Sequence, residues 1–147
     1  MTISAKFFFT ETEKISIVDA IKAAEKVTSG EIRVHIENKF KGDIFDRAVF
    51  IFEKLKMHQT KDRNGVLIYL AIKSKQFVII GDAGINSKVG QAFWDDVKVV
   101  MLQNFKEARF ADGLCIAIKQ VGDKLKTFFP YQADDVNELP DDISFGA

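Results

Sequence analysis

Several features that mark particular classes of protein are missing from this sequence. A single cysteine, Cys115, excludes an intrachain disulfide, and its apolar helical surroundings indicate a small core residue rather than a nucleophile. No apolar run approaches the ~20 residues of a membrane-spanning helix, and the N-terminus lacks the pattern of a signal peptide. We therefore expect a soluble, cytoplasmic protein without a membrane span.

An excess of charge of either sign is also missing. The 21 lysines and arginines balance the 21 aspartates and glutamates. Lysine predominates among the basic residues, whereas nucleic-acid recognition depends on the planar fork of arginine. Both features argue against a nucleic-acid partner. The 147 residues suffice for one domain with a full core, and we expect a monomer.

Contiguous motifs for phosphate or metal chemistry are absent as well. The sequence contains no Walker-type glycine loop, no Cys-x5-Arg nucleophile loop and no EF-hand loop. Any calcium site must therefore be discontinuous. The two histidines, His35 in the middle of a predicted strand and His58 after a predicted helix, are interpreted as structural or solvated.

The most informative stretch runs from Asp62 to Gly84. It contains two runs of β-branched and aromatic residues, 66–71 and 77–80, separated by a short polar segment. Such runs indicate buried strands, and the short link makes them an antiparallel hairpin. Residues that enter the first strand then lie beside those that leave the second. Asp62 is therefore predicted to lie near Asp82.

The elements around this hairpin follow from apolar periodicity and capping signals. They are a helix from the capping box Thr10 and Glu13 to about residue 28, a strand at 31–38, a helix from Asp43 to about 57, a helix at about 86–106 and a helix from Asp112 to about 125. Ile15 and Phe45 are predicted to face inward. A strand, a helix and a second strand form a parallel crossover, which brings Glu31 to the same sheet end as Asp62.

These elements predict an α/β fold. Its architecture is a three-layer α/β/α sandwich with a small mixed sheet of three to four strands, which combines a parallel crossover with an antiparallel hairpin. We expect about two helices on each face and a domain that covers residues 1–127. Residues 128–147 carry acidic but no basic side chains and are predicted to form a tail on the surface, anchored by Ile143 and Phe145.

Two motifs in the hairpin carry a family resemblance. DRNGVLIYL at 62–70 and GDAGI at 81–85, followed by a helix that contains FW, resemble the TPM domain family over about residues 10–127. The ending FPYQADDVNELPDDISF is similar to the tail of small stand-alone members. The family includes photosystem repair proteins of the thylakoid lumen and bacterial envelope proteins. The resemblance implies an α/β/α fold, bound calcium in some members and acid phosphatase activity in some.

The predicted sheet end gathers residues that offer oxygen ligands. Hard cations take several oxygens at once, from carboxylates, amides and backbone carbonyls. The predicted ligands of a calcium ion, or of another divalent cation, are Glu31, Asp62, Asn64, Asp82 and Gly84. Asp62 and Asn64 are also ordinary turn formers, and Asp82 is suited to cap the following helix. The residues alone favour those structural roles, whereas the coincidence of the two motifs favours a cation site.

The resemblance also implies metal-assisted hydrolysis of a phosphomonoester. Asp62 and Asp82 are the candidate catalytic residues, because a metal on them would polarise phosphate and water. Arg63 or Lys61 would hold phosphate oxygens, assisted by the start of the helix near Asn86. The alternative is a non-catalytic interaction or assembly module, in which the cation only stabilises loops. The partner, phosphorylated or protein, is not identified by the sequence.

Overall fold

The structure of the protein is a computed structural model that describes residues 5–131 and 141–146. Two single-turn 3-10 helices lie at Ala5–Phe7 and Met57–Gln59. The other described elements are, in chain order, α1 (Glu11–Glu25), β1 (Glu31–Glu37), α2 (Ile44–Lys54), β2 (Gly65–Ala71), β3 (Gln76–Gly81), α3 (Ala83–Asn86), α4 (Gln91–Lys106), α5 (Phe110–Phe128) and β4 (Ser144–Phe145).

The described strands form one mixed sheet in the order β3-β2-β1-β4. β1 and β2 run parallel, with Glu31 opposite Gly65, whereas β2 and β3 run antiparallel, with Val66 opposite Gly81. The predicted crossover and hairpin are thus confirmed. Every residue of β2 is buried, as expected for a strand with neighbours on both edges and helices on both faces.

β1 lies deeper in the sheet than its alternating sequence predicts. Its outer edge is covered by β4, with His35 opposite Ser144 in a parallel pairing. Apolar residues alternate in this strand with Arg33, His35 and Glu37, a pattern that predicts one well-buried face. His35 and Glu37, on the other face, are nevertheless only 5% and 2% exposed. The local pattern of β1 contains no information about a strand that joins from the other end of the chain.

The C-terminal segment is attached to the domain at both of its described ends. The isolated bridge between Thr28 and Pro130 holds the chain just beyond α5. Ile143 and Phe145 pack against the larger core, which confirms their predicted role as anchors. The acidic residues predicted to lie in a surface tail at 132–140 fall outside the described residues.

Helices cover both faces of the sheet, but unequally. α1, α4 and α5 pack together on one face, where their buried side chains join those of the strands in the larger core. Of the described helices, α2 covers the other face. The α/β/α sandwich is confirmed, with three long helices on one side where about two were expected. None of the helices in 5–131 has the length and apolarity needed to cross a membrane.

Side-chain caps begin the first two helices as predicted. The Thr10 hydroxyl accepts a hydrogen bond from the Glu13 amide at 3.1 Å, and the Glu13 carboxylate accepts one from the Thr10 amide at 2.9 Å. This reciprocal pair satisfies two amides that the helix leaves free. Asp43 caps α2 in the same position, accepting from the Asp46 amide at 3.0 Å.

Each of these two helices exposes a residue that was predicted to face inward, although most of the predicted face is buried. Ile17 and Ile21 are buried in α1, whereas Ile15 is 60% exposed; in α2 Phe52 is buried and Phe45 is 55% exposed. Both helices carry apolar residues on more than one side, so helical periodicity admits two overlapping stripes. The choice between them depends on the neighbours against which each helix packs.

The helix predicted from about Asn86 begins later, at Gln91, and a separate short helix, α3, precedes it. Asp82 caps the short α3, and the Asn86 side chain turns back to donate to the Gly81 carbonyl at 2.6 Å. The chain then begins α4 after Gly90. Asp112, predicted as the cap of the last helix, lies within the first turn of α5. There its negative charge interacts favourably with the positive end of the helix dipole.

A buried polar cluster joins β1, β2, α2 and β4. The Glu37 carboxylate accepts hydrogen bonds from Arg47 Nε and Nη2 at 2.9 and 2.6 Å and from the Tyr69 hydroxyl at 2.5 Å. Burial alone would raise the pKa of Glu37, but these donors and the Arg47 charge lower it to about 2. His35 extends the cluster, because its Nδ1 and the Ser144 hydroxyl are hydrogen-bonded at 2.6 Å. The cluster therefore ties β4 to the sheet.

Glu37→Gln is expected to lower the free energy of unfolding at pH 7 by about 2–3 kcal/mol, because it leaves the Arg47 guanidinium without its buried counter-charge. The folded pKa of Glu37 lies below its ordinary value of 4.5. Its stabilisation is thus present above pH 4.5 and declines as the pH falls toward 2. Urea unfolding at pH 7 and pH 3 measures both effects.

The control is Asp123→Asn, which breaks the exposed pair with Lys119. We expect this variant to change stability by less than about 0.5 kcal/mol. A difference between wild type and Glu37→Gln that is as large at pH 3 as at pH 7 would contradict the assignment.

Candidate functional site

The two ends of the β-hairpin meet as predicted from its topology. The Asp82 amide donates to the Gly65 carbonyl at 2.9 Å, and the Gly84 amide donates to the Arg63 carbonyl at 2.8 Å. We call Asp62, Arg63, Asn64, Asp82 and Gly84 the hairpin rim. Glu31 adjoins it, since its amide donates to the Asn64 carbonyl at 3.4 Å. The structure thus brings all five predicted ligand residues to one end of the sheet.

Asp82 is the buried carboxylate of the hairpin rim, at 7% exposure. It accepts two hydrogen bonds from Arg63, from Nε at 2.7 Å and from Nη2 at 2.8 Å, and a third from the Ala83 amide at 2.8 Å. The capping role that the sequence allowed for Asp82 is therefore present. Arg63 has a positive φ of 51°, a backbone conformation that most residues adopt only at a cost. Its side chain remains half exposed.

Asn64 supplies a second buried oxygen at the hairpin rim. Its side chain is 1% exposed and donates to the Ser29 hydroxyl at 3.4 Å. Within the described residues Asn64 Oδ1 has no hydrogen-bond partner, and the same is true of the nearby Thr60 hydroxyl. A buried acceptor left without a donor carries a desolvation cost. Asn64 Oδ1 is thus an oxygen available to a ligand.

Gly84 brings two carbonyl groups against the end of the hairpin. A Cβ atom at this position would overlap the Asp62 carbonyl oxygen and would lie 2.6 Å from that of Arg63. Only glycine allows this approach of backbone to backbone. Asp62 itself is exposed, and so is Lys61, the predicted phosphate ligand.

The carboxyl groups are not assembled around one point. Across 5–131 and 141–146, no three side chains of aspartate, glutamate, histidine or cysteine are grouped so as to hold a metal ion. Asp82 is directed to Arg63, and Asp62 lies on an exposed turn. The helix expected to point its positive end at this site is the four-residue α3, whose first amide is already satisfied by Asp82.

Glu31 lies in an acidic neighbourhood that was not predicted. Glu25, at the end of α1, accepts a hydrogen bond from the Ile32 amide at 2.9 Å. Burial raises the pKa of Glu25 to about 10, reinforced by a hydrogen bond with Asp141 and by the charge of Glu31. Glu25 is thus protonated at neutral pH. No local signal indicated this arrangement, because Asp141 reaches Glu25 only through the return of the C-terminal segment.

Gly84→Ala is expected to lower the free energy of unfolding by at least about 2 kcal/mol, because the new methyl group must displace backbone carbonyls. Gly90→Ala is the matched control, since a Cβ at Gly90 meets nothing within 4 Å. Its cost, that of replacing glycine at a helix N-cap, is expected to stay below about 1 kcal/mol. Thermal unfolding of both variants measures the difference, and equal stabilities would contradict the close packing at Gly84.

Glu25→Gln is expected to stabilise the protein at alkaline pH. The folded pKa of Glu25 is raised to about 10, so between pH 4.5 and 10 the folded state holds a proton that the unfolded state has released. The free energy of unfolding of the wild type therefore falls by up to about 1.4 kcal/mol for each pH unit as the pH rises through this range. Glutamine removes the titration and keeps an acceptor for Ile32. Unfolding curves from pH 5 to 9 test this, and parallel pH profiles for variant and wild type would contradict it.

Comparisons with known proteins place this arrangement in a family. The profile of the TPM domain matches residues 4–124. The NMR structure of BA42 protein from the psychrophilic bacterium Bizionia argentinensis is similar, with 50% identity, a TM-score of 0.90 and coverage of 95% of this chain and 96% of that one. No curated protein matches the sequence.

A second solved structure shares the fold alone. The N-terminal domain of cg2496 protein from Corynebacterium glutamicum has 18% identity and a TM-score of 0.59, over 79% of this chain and 73% of that one. The family profile, by contrast, spans most of the sequence and includes both hairpin motifs. The chain belongs to the TPM domain family.

Proposed function

We propose that this TPM domain binds calcium, or another divalent cation, at the hairpin rim. The observation that carries the proposal is that the buried Asp82 carboxylate lies at the same sheet end as Asn64 Oδ1, a buried oxygen with no hydrogen-bond partner among the described residues. The Asp62 and Arg63 carbonyls held beside Gly84 add further oxygens. Carboxylate, amide and carbonyl oxygens are the donors that calcium prefers.

Arg63 is the competitor of the proposed cation, because it occupies both oxygens of Asp82. Its guanidinium is half exposed and can move into solvent while Asp82 gains a divalent counter-charge. Binding would then replace the single positive charge of Arg63 beside the Asp82 carboxylate with the two positive charges of the cation. The same exchange makes the planar fork of Arg63 available to a phosphate group.

Metal-assisted phosphomonoester hydrolysis is the activity that this site would support. When bound, the ion supplies Lewis acidity toward a phosphate oxygen and toward water. Asp82 would hold the ion, while Arg63 and the exposed Lys61 would bind the remaining phosphate oxygens. Glu31 and Asp62 would supply further carboxylate oxygens to the ion.

A non-catalytic interaction module is the second candidate function. It is favoured by the fact that Asp82 is already satisfied by Arg63 and by the Ala83 amide. A cation would then only stabilise the two loops of the hairpin rim. A phosphatase assay with calcium separates the alternatives: activity lost in Asp82→Asn supports hydrolysis, and inactivity of both proteins supports the module.

Titration of calcium into metal-free protein, followed by amide chemical shifts and heat, tests the binding itself. We expect shifts confined to residues 62–65 and 82–86 and adjoining Glu31. Asp82→Asn should abolish them. Arg63→Gln should tighten binding by about tenfold, because the ion no longer has to displace the guanidinium.

The matched control is Asp46→Asn, which removes an exposed carboxylate at the start of α2, beyond the end of β1 that is opposite to the hairpin rim. It is expected to bind calcium like the wild type. Unchanged affinity in Asp82→Asn, or weaker binding in Arg63→Gln, would contradict the site.

A further inference from the structure

β3 is a free sheet edge. Within the described residues it pairs with β2 only, in continuous register without a bulge. The Asp82 amide points toward β2, where it bonds to Gly65. Since hydrogen-bonding directions alternate along an antiparallel strand, the N–H and C=O groups of Phe77 and Ile79 point away from β2. Gly81 belongs to the same set, and its carbonyl is already bonded by Asn86.

Over residues 5–131 and 141–146, this edge lacks the devices that usually prevent strand pairing. Soluble proteins protect exposed edges with charged residues, proline, bulges or a covering segment. The strand from Gln76 to Gly81 contains no charge and no proline. Its outward main-chain groups therefore form a template for one more strand.

The edge lies at the bottom of a groove between two helices. A cavity of about 460 Å³ is lined by 77–81 together with Phe45 of α2 and Trp94 and Lys98 of α4. A second cavity of about 450 Å³ continues from Phe77 along the same strand. Together they follow the whole length of β3.

We propose that the β3 edge docks an extended peptide from a partner protein, one with alternating apolar side chains and flanking acidic residues. An added strand lies ~4.8 Å from its neighbour, with side chains directed alternately to the two faces. One face of the groove offers Phe45 and the other Trp94. The groove is lined by Lys98, Lys75 and Lys106 against the single carboxylate Asp95, and this charge is complementary to an acidic segment.

A single extended segment fits this groove better than a second copy of the domain. A second β3 would approach with its own α2 and α4 beside it, so that Phe45 and Trp94 of each copy would meet before the strand edges paired. A peptide without such walls reaches the outward groups of Phe77 and Ile79 directly. The proposal is independent of the hairpin rim and is tested without calcium.

The probe is the peptide acetyl-Glu-Val-Thr-Val-Thr-Val-Glu-amide, titrated into the full chain in EDTA. The specific readout is hydrogen exchange: we expect the amides of Phe77 and Ile79 to exchange at least about tenfold more slowly in the complex. The same peptide N-methylated on alternate residues keeps the side chains but loses the N–H donors that pair with β3. It should not bind.

Two pairs of variants test the aromatic side chains that line the groove and the positive charge of its lysines. Phe45→Ala should weaken peptide binding by about tenfold, whereas Phe50→Ala, which removes a comparably exposed ring from the same helix outside the groove, should not. Lys98→Glu should weaken binding, and Lys22→Glu on the exposed side of α1 should leave it unchanged.

Three results would overturn the proposal. The first is absence of binding at millimolar peptide, and the second is equal binding of the N-methylated peptide. The third is sedimentation of the free protein as a dimer whose Phe77 and Ile79 amides are protected, because the edge would then bind a second copy.

Discussion

The fold depends on the complete burial of β2. Every residue from Gly65 to Ala71 is buried, so the strand requires a neighbour on each edge and a helical layer on each face. β1 and β3 supply the edges, the first through a crossover and the second through a tight reversal. The crossover places the polar residues before β2, and the reversal places those after β3, at the same end of the sheet. The candidate site at this end is therefore a consequence of how β2 is buried.

That end of the sheet contains an unusual balance of satisfied and unsatisfied groups. Asp82 is fully engaged by Arg63 and by the amide that follows it, whereas the equally buried Asn64 Oδ1 has no donor among the described residues. The fold thus stabilises a carboxylate with a side chain that can leave for solvent. An arrangement of this kind is compatible with a stable domain and with a ligand that replaces Arg63.

The first and last edges of the sheet differ in what lies beside them. β4 covers β1, held by the hydrogen bond of Ser144 to His35 and by close packing of Gly146 against Glu37. β3, at the opposite edge, pairs with β2 only in the part of the chain that the structure describes, and it lies in a groove lined by Phe45 and Trp94. A short segment of the chain covers one edge, and the other has no further strand among the described residues. The Glu37 cluster therefore supports both the core and the attachment of the C-terminal segment.

Much of this architecture follows from sequence. The apolar runs at 66–71 and 77–80 predicted the hairpin, the capping residues predicted two helix starts, and the sandwich followed from their order. These features are local, because capping and strand patterning depend on residues a few positions apart. The placement of Asp62 and Asp82 at one end of the sheet also follows, since a tight reversal leaves no other topology. The depth of β1, the exposure of Ile15 in α1 and the break between α3 and α4 were not predicted.

Local pattern alone determined which segments are strands and helices and which residues come to the hairpin rim. Tertiary structure alone decided that Arg63 neutralises Asp82, that Glu25 is protonated and that Glu37 accepts from Arg47 and Tyr69. The physical reason is distance along the chain. The energy of a buried charge depends on the groups that surround it in space, and here those groups come from strands, helices and a C-terminal segment far apart in sequence.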